Sequence, residues 1–170
     1  MAVLTRQAFD TEAYGASVRN QGCFICGLVA GHPAFAHHVI HEDDQAIVFL
    51  NRYPAMAGYV LVCPKAHLEQ VTGDFSRREY LALQSLVYDA SEALRRLLFV
   101  ERVYILSLGS QQANRHVHWH IAPLPPGVPL EDQQFAALDV ERAGVVALEP
   151  AEMAWLASGI GEELRKIRRE

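Results

Sequence analysis

The stretch 114–127, NRHVHWHIAPLPPG, sets His116, His118 and His120 at strict alternation with Val117, Trp119 and Ile121. In an extended strand residues i, i+2 and i+4 share one face, with neighbours about 7 Å apart. The spacing therefore predicts a row of three imidazoles, backed by a valine, a tryptophan and an isoleucine that face into packing. Pro123 and the Pro-rich PLPPGVP end that strand. A solvated, idle row is the alternative, but apolar residues between the histidines argue against it. Imidazole titrates near neutral pH, so such a row can bind a metal, exchange protons or carry a nucleophile.

Working outward, RVYILSLG reads as a strand and SQQANR as the loop that joins it to the histidine strand. This connection supplies Ser107, Gly109, Ser110 and Gln112, small and amide residues that can expose backbone N–H groups and donate to phosphate oxygens. Earlier in the chain, QAIVFLN and GYVLVCP read as two strands joined by NRYPAMAG. Ser76 followed three residues later by Glu79 is a capping-box signature. From there Leu83, Leu86, Val87, Ala90, Leu94 and Leu97 recur at helical spacing, so a long helix is predicted over 77–99. RAGVVAL reads as a short strand, and Pro150 opens a terminal helix carrying Met153, Leu156, Ile160, Leu164 and Ile167. Strands around one long helix, without a regular βαβ rhythm, predict an α+β fold with a mainly antiparallel sheet of about five strands.

The chain has 170 residues, enough for one domain with its own core but not for two. Its hydrophobic fraction of 51% and charged fraction of 21% are those of a globular protein. A net charge of -5 argues against nucleic acid held on a broad basic surface. No apolar run approaches the roughly 18 residues of a membrane span, and MAVLTRQAFDTEAYG lacks the apolar block of a secretory signal. A cytoplasmic location is the resulting expectation. Cys23 and Cys26 form a CxxC, half of a tetrahedral metal site, a redox pair or two unligated thiols. Cys63, inside an apolar strand, reads as a buried small hydrophobe. His37, His38 and His41 precede a predicted loop and read as surface or packing residues, and His32 before Pro33 as part of a turn. Asn51 reads equally as a turn residue before RYP and as a polar ligand.

HVHWHIA fits the histidine-triad pattern, and the chain resembles the HIT superfamily of nucleotide hydrolases and transferases. FLNRYPAMAGYVLVCPKAH is similar to the strand-loop-strand of that family's dinucleoside polyphosphate hydrolases. The CxxC is shared in pattern with bacterial zinc-containing HIT proteins. The likeness implies a HIT domain over 20–125, an N-terminal segment over 1–19, and a C-terminal extension over 126–170 packed on the same domain.

Carried over, the resemblance makes His118 the nucleophile that attacks an α-phosphate and forms a covalent nucleotidyl-histidine. His120, His116 and Gln112 would assist it. Asn51 would hold ribose, and Ser107, Gly109, Ser110, Gln112 and Tyr59 would surround the phosphates. Tyr59 stands where the similar hydrolases commonly have a histidine, which leaves the preferred phosphate chain length open. The likeness further implies a closed structural zinc on Cys23, Cys26, His67 of CPKAH, and His116, with no organic cofactor. It implies a homodimer formed through the long helix and an edge strand. The implied substrate is a dinucleoside polyphosphate or a nucleoside phosphoramidate; rival readings are transfer of the nucleotide to a phosphorylated acceptor and a non-catalytic nucleotide-binding module. The triad of the transferase branch usually has a non-histidine third position, so His120 favours hydrolysis.

Overall fold

The computed structural model describes residues 5–109, 114–138 and 140–170. In chain order its elements are β1 (Arg6–Gln7), α1 (Thr11–Gln21), α2 (Phe24–Val29), a 3-10 turn (Pro33–Phe35), β2 (Val39–Glu42), β3 (Ala46–Leu50) and β4 (Val60–Pro64). Then follow α3 (Arg77–Leu97), β5 (Arg102–Leu106), β6 (Trp119–Leu124), α4 (Gln133–Ala136), α5 (Val140–Ala143), β7 (Val145–Val146) and α6 (Pro150–Ile167). Strands β2-β3-β4-β6-β5 form one five-stranded sheet in that order, every neighbouring pair antiparallel. The α+β class and the antiparallel sheet are those read from the sequence.

The membership of the sheet differs in one strand. RAGVVAL supplies β7, but β7 pairs with β1 in a separate two-stranded ribbon. The fifth strand of the main sheet is β2, whose four residues lie at an edge and carry a register irregularity between Val39 and His41. A strand that short, half exposed and bulged has no period long enough to read. Strand β6 begins at Trp119 rather than at His116 and continues through Pro123. Proline is accommodated there because β4 pairs with β6 only as far as Ile121, so Pro123 lies past the shared ladder on that side.

Both faces of the sheet are covered, which is why β3 and β4 read as unbroken apolar runs and are buried throughout. Alternate residues go to opposite cores, as the pleat requires. Val48, Leu50, Val60, Val62, Val117, Trp119 and Ile121 pack with Leu83, Leu86, Val87, Ala90 and Leu94 of α3 and with Leu156, Ile160 and Leu164 of α6. Ile47, Phe49, Leu61 and Cys63 pack on the other face with Ile25, Met56, Tyr59 and Ala122. The predicted capping box starts α3: Glu79 N–H donates to Ser76 Oγ at 3.3 Å, and Ser76 N–H donates to Glu79 Oε2 at 2.8 Å. Helix α6 lies against α3 and β2; a Cβ at Gly161 would come within 3.0 Å of the Ile40 carbonyl oxygen, so glycine permits that approach. The apolar stripe of α3 is thus covered by α6 as well as by the sheet. Leu81 and Tyr88 of α3 stay exposed.

The ribbon β1-β7 ties the two ends of the chain to the loop after β3. Arg6 donates to the Ala55 carbonyl at 2.9 Å and to the Gly144 carbonyl at 3.0 Å, and Val146 N–H donates to the Pro54 carbonyl at 2.8 Å. Among the described residues no helix is long and apolar enough to cross a membrane.

Candidate active site and metal centre

The three histidines serve two adjoining sites. Cys23 caps the N-terminus of α2, so Cys26 sits in the first turn of that helix and turns its sulfur to the same side. Cys23 Sγ lies 3.4 Å from His116 Nδ1, and Cys26 Sγ lies 3.2 Å from His67 Nδ1 and 3.6 Å from His116 Nδ1. The four ligand atoms of Cys23, Cys26, His67 and His116 all fall within 4.8 Å of one another. In a tetrahedral zinc site ligand atoms stand about 3.3–3.8 Å apart.

The outer nitrogens fix the inner ones. His116 Nε2–H donates to the Pro64 carbonyl at 2.9 Å, and His67 Nε2–H donates to Glu69 Oε1 at 3.2 Å. Each ring therefore turns an unprotonated Nδ1 towards the sulfurs, the arrangement that metal-binding histidines take. Burial lowers the basicity of His116 to a pKa of about 4, helped by His67 and His118, so the ring is neutral. Burial and the neighbouring Cys23 push the Cys26 thiol up to about 11. The Cys26 thiol therefore stays protonated unless a cation neutralises it, and a coordinated thiol is deprotonated outright. The donor set, its tautomers and its spacing could hold one metal ion. Cys63 is fully buried in β4, where burial raises its thiol well above the ordinary range, so it is inert.

His118 has the opposite arrangement. Its Nδ1–H donates to the His116 carbonyl at 2.6 Å, which leaves the Nε2 lone pair free. Ser107 donates its hydroxyl to the His118 carbonyl at 2.9 Å and Val117 N–H donates to the Leu68 carbonyl at 2.7 Å, so the backbone around His118 is held on both sides. Burial keeps His118 neutral by lowering its pKa. His120 follows on the same face, its ring centre 4.7 Å from that of His118, and burial together with His118 lowers its pKa to about 3. The Tyr59 hydroxyl lies 3.3 Å from His120 Nδ1, and burial raises that phenol above its usual range. Gly58, at φ 81°, makes the turn that aims Tyr59 inward; a Cβ there would also meet Leu98 at 2.6 Å.

Two cavities meet at His118 and His120. The first, of about 130 Å³, is walled by Phe24, Phe35, His37, Asn51, Arg52 and Leu61 together with Ser17, Val18 and Gln21 of α1. The second, of about 330 Å³, is walled by Phe9, Ala55, Tyr59, Leu106, Leu108, Ala137, Leu138 and Val140. Tyr14, Asn51, Tyr53 and Asn114 border both.

Of the residues singled out from the sequence, Asn51, Tyr59, His118 and His120 line these cavities, and Cys23, Cys26, His67 and His116 form the neighbouring cluster. Asn51 Oδ1 also accepts from Tyr53 N–H at 2.9 Å, so it is a turn residue as well as a wall of the site. Ser107 spends its hydrogen on the backbone of His118. Gly109 has the Asn114 carbonyl oxygen 3.4 Å from where a Cβ would stand. Ser110 and Gln112 lie outside the described residues.

Sequence reasoning missed Phe24, His37, Tyr14, Tyr53 and Asn114. His37 does pack, with its ring centre 5.0 Å from that of Phe49 and 5.8 Å from that of Phe24, but the packed ring is a wall of the first cavity. Its Nδ1–H donates to the Phe35 carbonyl at 2.7 Å. No period marks these residues, because they reach the site from α1, from the start of α2, from the segment before β2 and from loops. His41, by contrast, stays outside the site, 3.2 Å from Asp43 Oδ2 and 2.6 Å from Arg168 Nη1.

The sequence profile of the HIT domain matches residues 33–126. The chain belongs to the HIT family. Curated HIT relatives include an uncharacterised HIT-like protein of Methanocaldococcus jannaschii, 31% identical over 105 residues that cover 59% of this chain and 78% of that protein. An uncharacterised HIT-like protein of Saccharolobus solfataricus is 27% identical over 104 residues, covering 59% and 73%. The HIT fold is shared with a solved histidine triad nucleotide-binding protein from Sulfolobus tokodaii, with a TM-score of 0.69 and 21% identity over 86% of this chain and 95% of that one. A Zn-bound histidine triad family protein from Mycobacterium smegmatis superposes with a TM-score of 0.66 at 19% identity, covering 87% and 96%.

Proposed function

We propose that this HIT protein is a nucleotide phosphohydrolase that works at an α-phosphate through a covalent nucleotidyl-histidine on His118. The observation that carries the reading is the 2.6 Å bond from His118 Nδ1–H to the His116 carbonyl, which leaves a neutral, unprotonated Nε2 facing both cavities. A neutral imidazole with a fixed tautomer is a competent nucleophile at pH 7. The Nε2 lone pair forms the N–P bond while the bond from phosphorus to the leaving group breaks; the leaving group keeps that electron pair and gains a proton from solvent. Water then attacks phosphorus, the N–P pair returns to Nε2, and one proton goes back to solvent. His120 stands beside the reacting centre; with Tyr59 O–H donating to its Nδ1, its Nε2–H would point at a phosphoryl oxygen and stabilise the charge that develops there. Phe24, Phe35 and His37 would enclose the base and Asn51 the ribose.

The neighbouring cluster would hold a zinc ion on Cys23, Cys26, His67 and His116. Four protein ligands make a closed, structural site, which pins α2 and the loop of His67 to the residue that carries the nucleophile's hydrogen-bond acceptor. The zinc named for the M. smegmatis relative supports this choice of metal. A homodimer would form through α3 and the edge strand β5, where Ile105 and the nearby Phe99 are exposed. A monomeric mass by light scattering at micromolar concentration would remove the dimer.

The test is incubation with adenosine 5′-phosphoramidate and with dinucleoside polyphosphates, with products read by chromatography and the quenched protein by peptide mass spectrometry. Release of the mononucleotide, with one nucleotidyl group found on the His118 peptide, is the expected result. Turnover with the label on another residue, or no turnover of any member, contradicts it.

A further inference from the structure

A third cavity, of about 370 Å³, shares no wall residue with the two that meet at His118. Its walls come from the turn between β2 and β3, the loop after β4, the segment before α3, the first half of α3, and Arg168 at the end of α6. That turn belongs to the edge of the sheet opposite β5. Ala46, Leu68, Phe75, Leu83 and Leu86 give the cavity an apolar lining, and Ala46, Leu83 and Leu86 are themselves buried in the core. The Phe75 ring is fixed by edge contacts with Tyr80 and Trp119, both at 6.2 Å between ring centres.

The cavity is also preformed. Pro64, Ala66 and Leu68 line it, whereas His67 between them turns to the sulfur of Cys26. The Pro64 carbonyl accepts from His116 Nε2–H at 2.9 Å and the Leu68 carbonyl from Val117 N–H at 2.7 Å, so this wall is held by the strand of the triad. Asp74 Oδ2 accepts from the N–H groups of Glu69 and Gln70 at 2.8 and 2.9 Å and fixes the loop beyond it. A pocket that needs no ordering on binding keeps more of its contact energy.

The charge around this apolar lining is one-sided. Asp43, Asp44, Glu79 and Asp89 contribute to the walls, against a single guanidinium, Arg168. Arg168 is already engaged, its Nη1 donating to His41 Nε2 at 2.6 Å and lying 3.6 Å from Asp43 Oδ2. Asp43 accepts in addition from the N–H groups of Gln45 and Ala46, and Glu79 closes the capping box with Ser76. The carboxylates of Asp44 and Asp89 have no partner among the described residues. Such a site repels an anion, and with it a nucleotide; it attracts a cation, and its lining gains by covering apolar surface. An ammonium beside Phe75 gains further from the face of the ring.

We propose that this cavity is a second binding site, for a small organic cation that carries its amine on an apolar, ring-sized body. The body covers Phe75, Leu83 and Leu86, and the ammonium meets the carboxylates of Asp44 and Asp89. The volume is that of a small-molecule pocket, commonly about 300–1,000 Å³. The proposal is independent of the reaction assigned to His118.

The test titrates the full chain with three probes, followed by calorimetry and by amide chemical shifts: tryptamine, indole-3-propionate, which exchanges the ammonium for a carboxylate, and spermine, a cation without an apolar body. Tryptamine is expected to bind with a Kd below about 1 mM, at least about tenfold tighter than either of the others, and to shift the amides of Phe75, Leu86 and Asp89. The double change Asp44→Asn, Asp89→Asn removes the charge, and Ala82→Phe, at an exposed wall position of α3, fills the space while keeping it. Each should weaken tryptamine at least about tenfold, and raised salt should weaken it in the wild-type protein. No binding of tryptamine, equal binding of indole-3-propionate, tighter binding of spermine, shifts confined to the walls of the His118 cavities, or unaltered affinity in both variants overturns the proposal.

Discussion

His116 and His118 stand two residues apart, are both buried, and are both made neutral by burial, yet they present opposite nitrogens. His116 gives its Nε2–H to the Pro64 carbonyl and keeps Nδ1 for the sulfurs. His118 gives its Nδ1–H to the carbonyl of His116 and keeps Nε2 for the cavities. The chemistry of each ring is thus decided by where a backbone carbonyl happens to lie, not by the residue type or by the ring's basicity. The carbonyl of His116 also couples the two sites, because the residue whose side chain joins Cys23, Cys26 and His67 orients the His118 ring through its backbone.

Removing the proposed nucleophile breaks the comparison most severely. His118→Ala is expected to lower turnover at least about 10³-fold, as loss of a covalent nucleophile does, while nucleotide binding by calorimetry persists. Near wild-type hydrolysis by the folded variant would end the covalent mechanism. On the other side, the double change Cys23→Ser, Cys26→Ser should abolish metal retention by elemental analysis and lower the melting temperature. A loss of about 3 kcal/mol corresponds to a fall of about 6–12 °C for a chain of this size. Activity should fall with it, through loosening of the His116 carbonyl; unchanged melting and full activity in a metal-free preparation would return Cys23 and Cys26 to ordinary thiols.

Subtler changes sharpen the contrast. Glu69 accepts from His67 Nε2–H, so Glu69→Gln should weaken metal affinity about 10–100-fold in a chelator competition without touching the His118 side. Equal affinity would show that His67 is oriented without it. The smallest effect is expected at His120, whose Nδ1 meets a hydroxyl that can donate or accept rather than a carbonyl that can only accept. Tyr59→Phe should lower kcat about fivefold, the equivalent of one ordinary hydrogen bond of about 1 kcal/mol. A loss of hundreds-fold would place Tyr59 in the chemistry itself.

Much of this arrangement is legible in the residues, for reasons that differ by element. The capping box at Ser76 and Glu79 and the apolar stripe of α3 are local and periodic, so the helix is found within two residues of its end. The alternation around Trp119 puts Val117, Trp119 and Ile121 in one core, as the pleat demands, although regular strand starts only at Trp119. The tetrad of Cys23, Cys26, His67 and His116 is legible through family likeness, since His67 and His116 are far apart in sequence and nothing local links them. What stayed hidden is non-local or aperiodic. Strand β2 has four residues and a bulge, and β7 finds its partner in β1 at the opposite end of the chain. The neighbours of His37 along the chain suggest only a surface or packing residue; its place as a cavity wall follows from Phe24 and Phe49, which reach it from other elements.

The opposed tautomers are the centre of the account, and a long-range ¹H–¹⁵N correlation spectrum of the histidine side chains in the metal-loaded protein reads them directly. The account predicts His118 as the Nδ1–H tautomer with an unprotonated Nε2, and His116 as the Nε2–H tautomer with its Nδ1 shifted by the metal. A proton on Nε2 of His118 would leave no lone pair to attack phosphorus, and would contradict the account.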